Sequence, residues 1–402
     1  MERSTRSSRS RSWRGSAIVG ACLALIACCA GATPPDLFSL AYWQPMPGPL
    51  PLPVFDAAAA FVGDRLVVVG GVTQSLEATP AIQIRHPIYG WMPIGSNLLE
   101  PRGQPTLTRL PSGRWLALGG WSGTWGKNVT YHNGGETFDP LAAGSSRAIE
   151  PWNESLEGHT ATPLPDGRVA VVCGCELRVY DEAGTWSSEV ELVRPRHHHA
   201  VALVGQMLVI IGGDDEGTVE SVLLGDEPLQ SELWGERFSV PIADSSAIAL
   251  DARFALVAGG ADRRSDVTLN ATWIIDAARR QIRPSLPLGF ERGACDVALF
   301  AHPRGVIALG GEWRDGVARG AADIAMLMRP FEGEHRRWAL PGNPRLAPFS
   351  RRVAIRAADG SFEVIGGYRF VAPDAADPNA RAGVTVGDGG ERLVVDANRV
   401  AD

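Results

Sequence analysis

Three consecutive histidines, His197-His198-His199, form the densest run of metal-ligating side chains in the sequence. Neutral imidazoles suit copper and zinc, and on an extended strand His197 and His199 would share one face with His198 opposite. The run lies inside Arg194-Pro195-Arg196-His197-His198-His199-Ala200, just ahead of an apolar stretch. A structural run leading into that strand is the alternative to a metal centre. Beyond the N-terminal segment, thiols occur at Cys173, Cys175 and Cys295. In one extended strand Cys173 and Cys175 would point the same way, about 6–7 Å apart, which disfavours a disulfide between them. No companion ligands stand at metal-site spacing, so buried, inert thiols are expected ahead of a disulfide or a Cys-x-Cys metal site. Asp214-Asp215 is a carboxylate pair in a loop after two glycines, a setting for solvated turn residues. No Ser-His-Asp spacing, phosphate loop or His-Glu-x-x-His motif is present. The sequence thus assigns no catalytic residues, no metal ligands and no cofactor.

The elements that position these residues repeat about every fifty residues, and the repeat governs the reading. Six apolar runs end in a glycine pair: Leu66–Val69 before Gly70-Gly71, Trp115–Leu118 before Gly119-Gly120, Leu208–Ile211 before Gly212-Gly213, Ala255–Ala258 before Gly259-Gly260, Val306–Leu309 before Gly310-Gly311, and Phe362–Ile365 before Gly366-Gly367. A seventh copy, Val169–Val172, runs into Cys173-Gly174. Ahead of these runs come polar turns such as Gly63-Asp64, Pro111-Ser112-Gly113, Pro165-Asp166-Gly167 and Asp359-Gly360, which are hairpin signals. A third strand and then a tryptophan follow, with Trp91, Trp152, Trp186, Trp234 and Trp338 in that place in five repeats. Each unit reads as a four-stranded antiparallel meander. Glycines let the strand end approach a neighbouring sheet, and a tryptophan fills the space between sheets.

An apolar run into Gly-Gly, a spaced tryptophan and a period near fifty together resemble the kelch repeat. The resemblance covers nearly the whole mature chain. It implies an all-β fold, a seven-bladed kelch-type β-propeller spanning 37–402. The family's tyrosine between glycines and tryptophan is clear only as Tyr180, and the fifth repeat has Trp273 in its third strand and Ile282 where the late tryptophan would fall. The seventh repeat ends in Arg392-Leu393-Val394-Val395-Asp396 without a tryptophan. Ala41-Tyr42-Trp43-Gln44-Pro45 precedes the first repeat and reads as an orphaned strand, so the N-terminal strand is expected to close the last blade. Some kelch propellers are copper-radical oxidases, which use two tyrosines, two histidines and a cysteine linked to one tyrosine. Tyr131-His132 supplies the right types, but the remaining ligands do not follow in that family's order. Kelch-fold sugar epimerases also exist, which keeps a sugar-modifying enzyme as an alternative.

What the repeat leaves for function is the loop set after each glycine pair. Candidate binding residues there are Trp121, Trp125 and Lys127; Asp214 and Asp215; Arg263 and Arg264; and Trp313 and Arg314. Glu216, Asp262, Glu312, Asp315, Tyr368 and Arg369 share those loops. Exposed tryptophan with arginine suits a glycan or a protein partner, and the long stretch 121–135 is the strongest single element. The alternative is that these tryptophans only cover sheet edges. A net charge of −7 argues against nucleic acid as partner.

Residues 1–29 stand apart. Arg3, Arg6, Arg9, Arg11 and Arg14 precede a short apolar run, the pattern of a signal peptide. It ends in Leu25-Ile26-Ala27-Cys28, similar to the bacterial lipobox, which implies lipidation at Cys28. Simple cleavage near Ala30-Gly31-Ala32 is the alternative. Labelled palmitate is expected to enter the protein and to be lost in Cys28→Ser; label kept by that variant overturns the anchor. The combined expectation is a monomeric, exported binding or scaffolding module at the cell envelope, touching the membrane only through its lipid, with an envelope enzyme on the propeller face as the alternative.

Overall fold

The computed structural model describes residues 41–93, 95–225, 229–331, 334–337, 350–371 and 383–395. The signal segment with Cys28, and Trp338, lie outside the described residues. So do residues 37–40 of the expected N-terminal closing strand. Among the described residues the fold is built of strands, and none forms a helix long and apolar enough to cross a membrane.

Every repeat builds its own antiparallel sheet, because each apolar run is fully buried and needs partners on both edges. Leu66, Val67, Val68 and Val69 are all buried in Arg65–Val69, which pairs with Ala58–Val62 on one side and Ala81–His86 on the other. The fourth repeat orders Ala200–Val204, Met207–Ile211, Thr218–Leu223 and Ser231–Arg237 in the same way. The third is three-stranded, with long strands Val169–Tyr180 and Trp186–Arg196 and a register shift between Gly174 and Glu176. That shift alters the expected thiol geometry. With Gly174 left-handed (φ 56°), Cys173 is buried and Cys175 exposed, and both are free thiols, as is Cys295. In the last sheet Gly390–Val395 stands third and Ala41–Pro45 takes the outer place beyond it.

The sheets pack face against face in chain order. Val67, Val69 and Ile82 of the first repeat meet Trp115, Ala117 and Phe138 of the second. Trp234 and Phe238 of the fourth meet Val257 and Ile275 of the fifth, with Trp273 edge-on to Phe238 at 5.0 Å. Phe300 of the sixth lies 5.0 Å from Phe362 of the seventh. Met46, Leu50 and Val54 join Leu66 and Val68 of the first repeat to Ile365 of the last. A bidentate pair crosses the same junction, with both Glu363 carboxylate oxygens 2.7 Å from Arg85 Nη2.

The glycine pairs work at these junctions. The second glycine donates its N–H to a backbone carbonyl of the adjoining repeat: Gly71 to Arg102, Gly213 to Ile242, Gly260 to Ala294 and Gly367 to Val54. A Cβ on the first glycine would fall well inside 3.0 Å of that same carbonyl oxygen at Gly70, Gly212, Gly259 and Gly366. All four are also left-handed, so glycine is required there for both space and conformation.

Candidate functional site

Two residues ahead of each sheet's first strand, the chain makes a left-handed turn. The residues are Asp56 (φ 52°), Gln104 (54°), Gly158 (59°), His198 (57°), Asp244 (53°), Asp296 (54°) and Arg351 (52°). Backbone hydrogen bonds link them side by side. Gln104 N–H donates to Asp56 C=O (2.7 Å), His198 to Gly158 (2.9 Å), Asp244 to His198 (2.8 Å), Asp296 to Asp244 (3.0 Å) and Asp56 to Arg351 (3.4 Å). Six of the seven repeats thereby set a side chain at the equivalent place, and the third sets Gly158 there.

Gln104, Gly158, His198, Asp244 and Asp296 from this series line a pocket of about 200 Å³, together with Trp121, Tyr131, Leu156, His159, His199 and Ser245. The turn at His198 breaks strand alternation, which corrects the expected pairing of His197 with His199. Instead His198 and His199 both line the pocket, while His197 Nδ1 lies 3.1 Å from the Glu157 carbonyl oxygen outside it.

Beside the pocket Arg314 gathers carboxylates from four directions. Its guanidinium reaches Asp244 (2.7 Å), Glu312 (2.8 Å), Asp296 (3.3 Å) and Asp266 (3.4 Å). Arg351 binds Asp56 at 2.8 Å and approaches Glu312 at 3.4 Å, and Tyr368 donates its hydroxyl to Glu312 at 2.8 Å. Burial pushes Asp244 up, but its hydrogen bond to His198 (2.9 Å) and the charges of His198 and Arg314 outweigh that and hold it well below the usual carboxylate range. In return, Asp244 raises His198 above the ordinary histidine range despite burial. Asp296 goes the other way. Its recessed position and the neighbouring Asp244 push it up to about 7, although 42% of its side chain still reaches solvent.

The other two histidines of the pocket are held neutral. Burial lowers His159 to about 4; its Nδ1 sits 2.8 Å from the Leu156 carbonyl oxygen and must donate, so Nε2 accepts from Thr106 at 2.9 Å. Burial and then Arg196 hold His199 well below the usual value. Its Nε2 pairs with Thr160 Oγ1 at 2.8 Å, and its Nδ1, like the Ser245 hydroxyl, has no partner.

Of the residues expected from sequence, Arg314 and Trp121 reach this centre. Trp121 is buried, its ring covering Gly103, because stretch 121–135 is no open loop: Trp121–Thr124 and Asn128–Tyr131 pair as a hairpin. Trp125 packs edge-on against Phe55 (5.4 Å) and Tyr368 (5.3 Å), and Lys127 is exposed at the hairpin turn. Asp214 is buried and staples its own loop, accepting from Gly217 N–H (2.8 Å) and Thr218 N–H (3.0 Å). Asp215 is exposed and pairs with Arg263 at 3.1 Å, while Arg264 donates to the Asp215 carbonyl at 3.2 Å. Trp313 lies under the Arg292 guanidinium at 4.1 Å, packed on the core between fifth and sixth sheets.

Sequence reasoning missed His198, Asp244 and Asp296 as a set, although a signal was there. The span from each left-handed residue to the second glycine of its repeat is 15 (Asp56 to Gly71, His198 to Gly213, Asp296 to Gly311) or 16 (Gln104 to Gly120, Asp244 to Gly260).

No protein-family profile matches this chain, and no curated protein does. A solved structure of YjhT aligns with a TM-score of 0.52 at 14% identity, covering 72% of this chain and 98% of that one. With 886 solved chains matching, the likeness is to a widely used fold and speaks to fold alone. The array of antiparallel sheets is consistent with a β-propeller.

Proposed function

We propose that this is an exported seven-bladed kelch-type propeller whose axial pocket binds a small carbohydrate. The repeat series, the glycine contacts between adjoining repeats, and the packing of the last sheet on the first support a closed ring. One observation carries the binding role: His198, Asp244, Asp296 and Tyr131, from separate repeats, converge on one recessed pocket. At about 200 Å³ it falls below the range of drug-sized sites, about 300–1,000 Å³, and matches a single sugar ring. Carboxylates and imidazoles there can bridge neighbouring hydroxyls. A lipid at Cys28 would hold this pocket at the cell envelope.

Calorimetry and saturation-transfer NMR with a panel of monosaccharides test the reading on the mature protein. At least one sugar is expected to bind, with affinity falling tenfold or more in Asp244→Asn, which keeps a side chain tolerant of the left-handed turn. A panel without a binder overturns it.

The His198–Asp244 pair, next to a carboxyl that titrates near neutrality, favours a second reading as a sugar-modifying enzyme, since a base and an acid share one pocket. Incubating the bound sugar with protein in D₂O separates the two. Deuterium at a ring carbon requires proton abstraction; an unlabelled sugar excludes proton abstraction at carbon.

A further inference from the structure

We propose that the ligand of this pocket carries an ammonium group, as an amino sugar does, seated against Asp296 and Asp244; the proposal rests on the carbohydrate reading of the site. The first argument is the pocket lining. It holds carboxylates at Asp244 and Asp296 and no arginine or lysine. Its one histidine raised above the ordinary range, His198, is already engaged by Asp244 Oδ1 at 2.9 Å. Two further polar atoms there lack partners: His199 Nδ1, on a side chain buried to 5% exposure, and Ser245 Oγ. Because His199 is neutral and its Nε2 is taken by Thr160, its Nδ1 awaits a partner from the ligand. The lining therefore offers two carboxylates and no side chain of fixed positive charge.

The second argument is charge. Asp56, Asp244, Asp266, Asp296 and Glu312 form a connected cluster of five carboxylates. Among the described residues three arginines face them, Arg314, Arg319 and Arg351, together with His198, whose protonated form Asp244 favours. Within the pocket the loosest compensation falls on Asp296, whose nearest charged partner is Arg314 at 3.3 Å and whose side chain is 42% exposed. An ammonium supplies the missing positive charge. An anionic sugar would add a sixth negative charge to the cluster.

The titration of Asp296 agrees with this placement. Its recessed position, Asp244 and Glu312 raise it, Arg351 and Arg314 lower it, Cys295 Sγ lies 3.6 Å away, and the balance is about 7. His198 is the remaining charged group near it. Asp296 thus ionises at higher pH than an ordinary carboxyl, so attraction for an ammonium strengthens as pH rises through its titration.

Three probes share one skeleton and differ in charge at carbon 6: 6-amino-6-deoxyglucose, glucose and glucuronate. The amine is fully protonated at pH 5.5 and still mostly so at pH 8, although the neighbouring ring oxygen lowers it below a lysine ammonium's value of about 10.4. Calorimetry on the mature protein at pH 8 is expected to rank the amine at least tenfold tighter than glucose, with glucuronate weakest. At pH 5.5 the amine's advantage is expected to shrink to less than threefold. In Asp296→Asn, checked for folding by its melting curve, the advantage at pH 8 is expected to disappear. Glucose binding as tightly as the amine in the wild-type protein overturns the ammonium proposal and leaves carbohydrate binding standing. No binding by any of the three overturns the proposal and removes these hexoses' support for the carbohydrate reading, which the wider neutral panel then decides separately.

Discussion

Removal of residues 37–50 from the mature protein is expected to abolish the stable fold or to lower its melting temperature by more than ten degrees. The segment contributes Ala41–Pro45 to the edge of the last sheet and buries Met46 and Leu50 between the first and last repeats. Each of those side chains is worth about 1.5–3 kcal/mol when fully buried. Two backbone bonds, from Met46 N–H to Gly390 and from Leu50 N–H to Asp388, add about 1 kcal/mol each. The total approaches the whole net stability of an ordinary domain, about 5–15 kcal/mol. The deletion also strips the partner from Gly390–Val395, leaving a bare edge that invites aggregation. Calorimetric melting of the truncated and full mature proteins decides the point. An unchanged melting temperature means this segment does not hold the first and last sheets together.

Gly366→Ala is expected to destabilise the protein by at least about 3 kcal/mol more than Gly360→Ala, as read by urea unfolding. Both glycines are left-handed, at φ 65° and 83°, so both variants carry the same kind of backbone penalty, about 1–2 kcal/mol. They differ in surroundings. Gly360 sits at a hairpin turn with nothing within 4 Å of an added Cβ, whereas at Gly366 the new methyl would overlap the Val54 carbonyl oxygen. That oxygen already accepts the Gly367 N–H at 3.1 Å, so it cannot withdraw without breaking the bond between the last repeat and the first. Equal costs would show that the glycine pair is needed for conformation alone.

The contrast between these glycines also marks what could be read from the sequence. The strands and their order were legible because burying Leu66–Val69 or Leu208–Ile211 on both faces leaves an unbroken apolar run, and the glycines after it punctuate the period. The orphaned strand at Ala41 was legible because the last repeat lacked a fourth. The pocket was harder to see. Trp121 looks like a surface aromatic until the hairpin pairing with Tyr131 folds its ring over Gly103. Asp244 and Asp296 lie in ordinary polar linkers, and no local pattern shows that a left-handed turn aims both at one point. Their chemistry depends on distant partners: Arg314 is 70 residues from Asp244, and His198 is 46 from it. Counting back from each glycine pair would have aligned them.

The left-handed turns have a consequence for how such a scaffold diversifies. A backbone of that hand excludes branched and bulky apolar residues and tolerates chiefly glycine, asparagine, aspartate and histidine. Five of the seven positions here, Asp56, Gly158, His198, Asp244 and Asp296, come from that short alphabet. Main-chain hydrogen bonds tie five neighbouring pairs of these turns, and side-chain pairs at Arg351–Asp56 and His198–Asp244 are added to them, so much of the linkage survives an exchange of letters. Specificity at the centre is in effect spelled with a restricted vocabulary of acceptors and imidazoles. Under the binding role proposed above, descendants of this chain would vary the polar ligand at small structural cost, whereas a greasy ligand would require rebuilding the turns themselves.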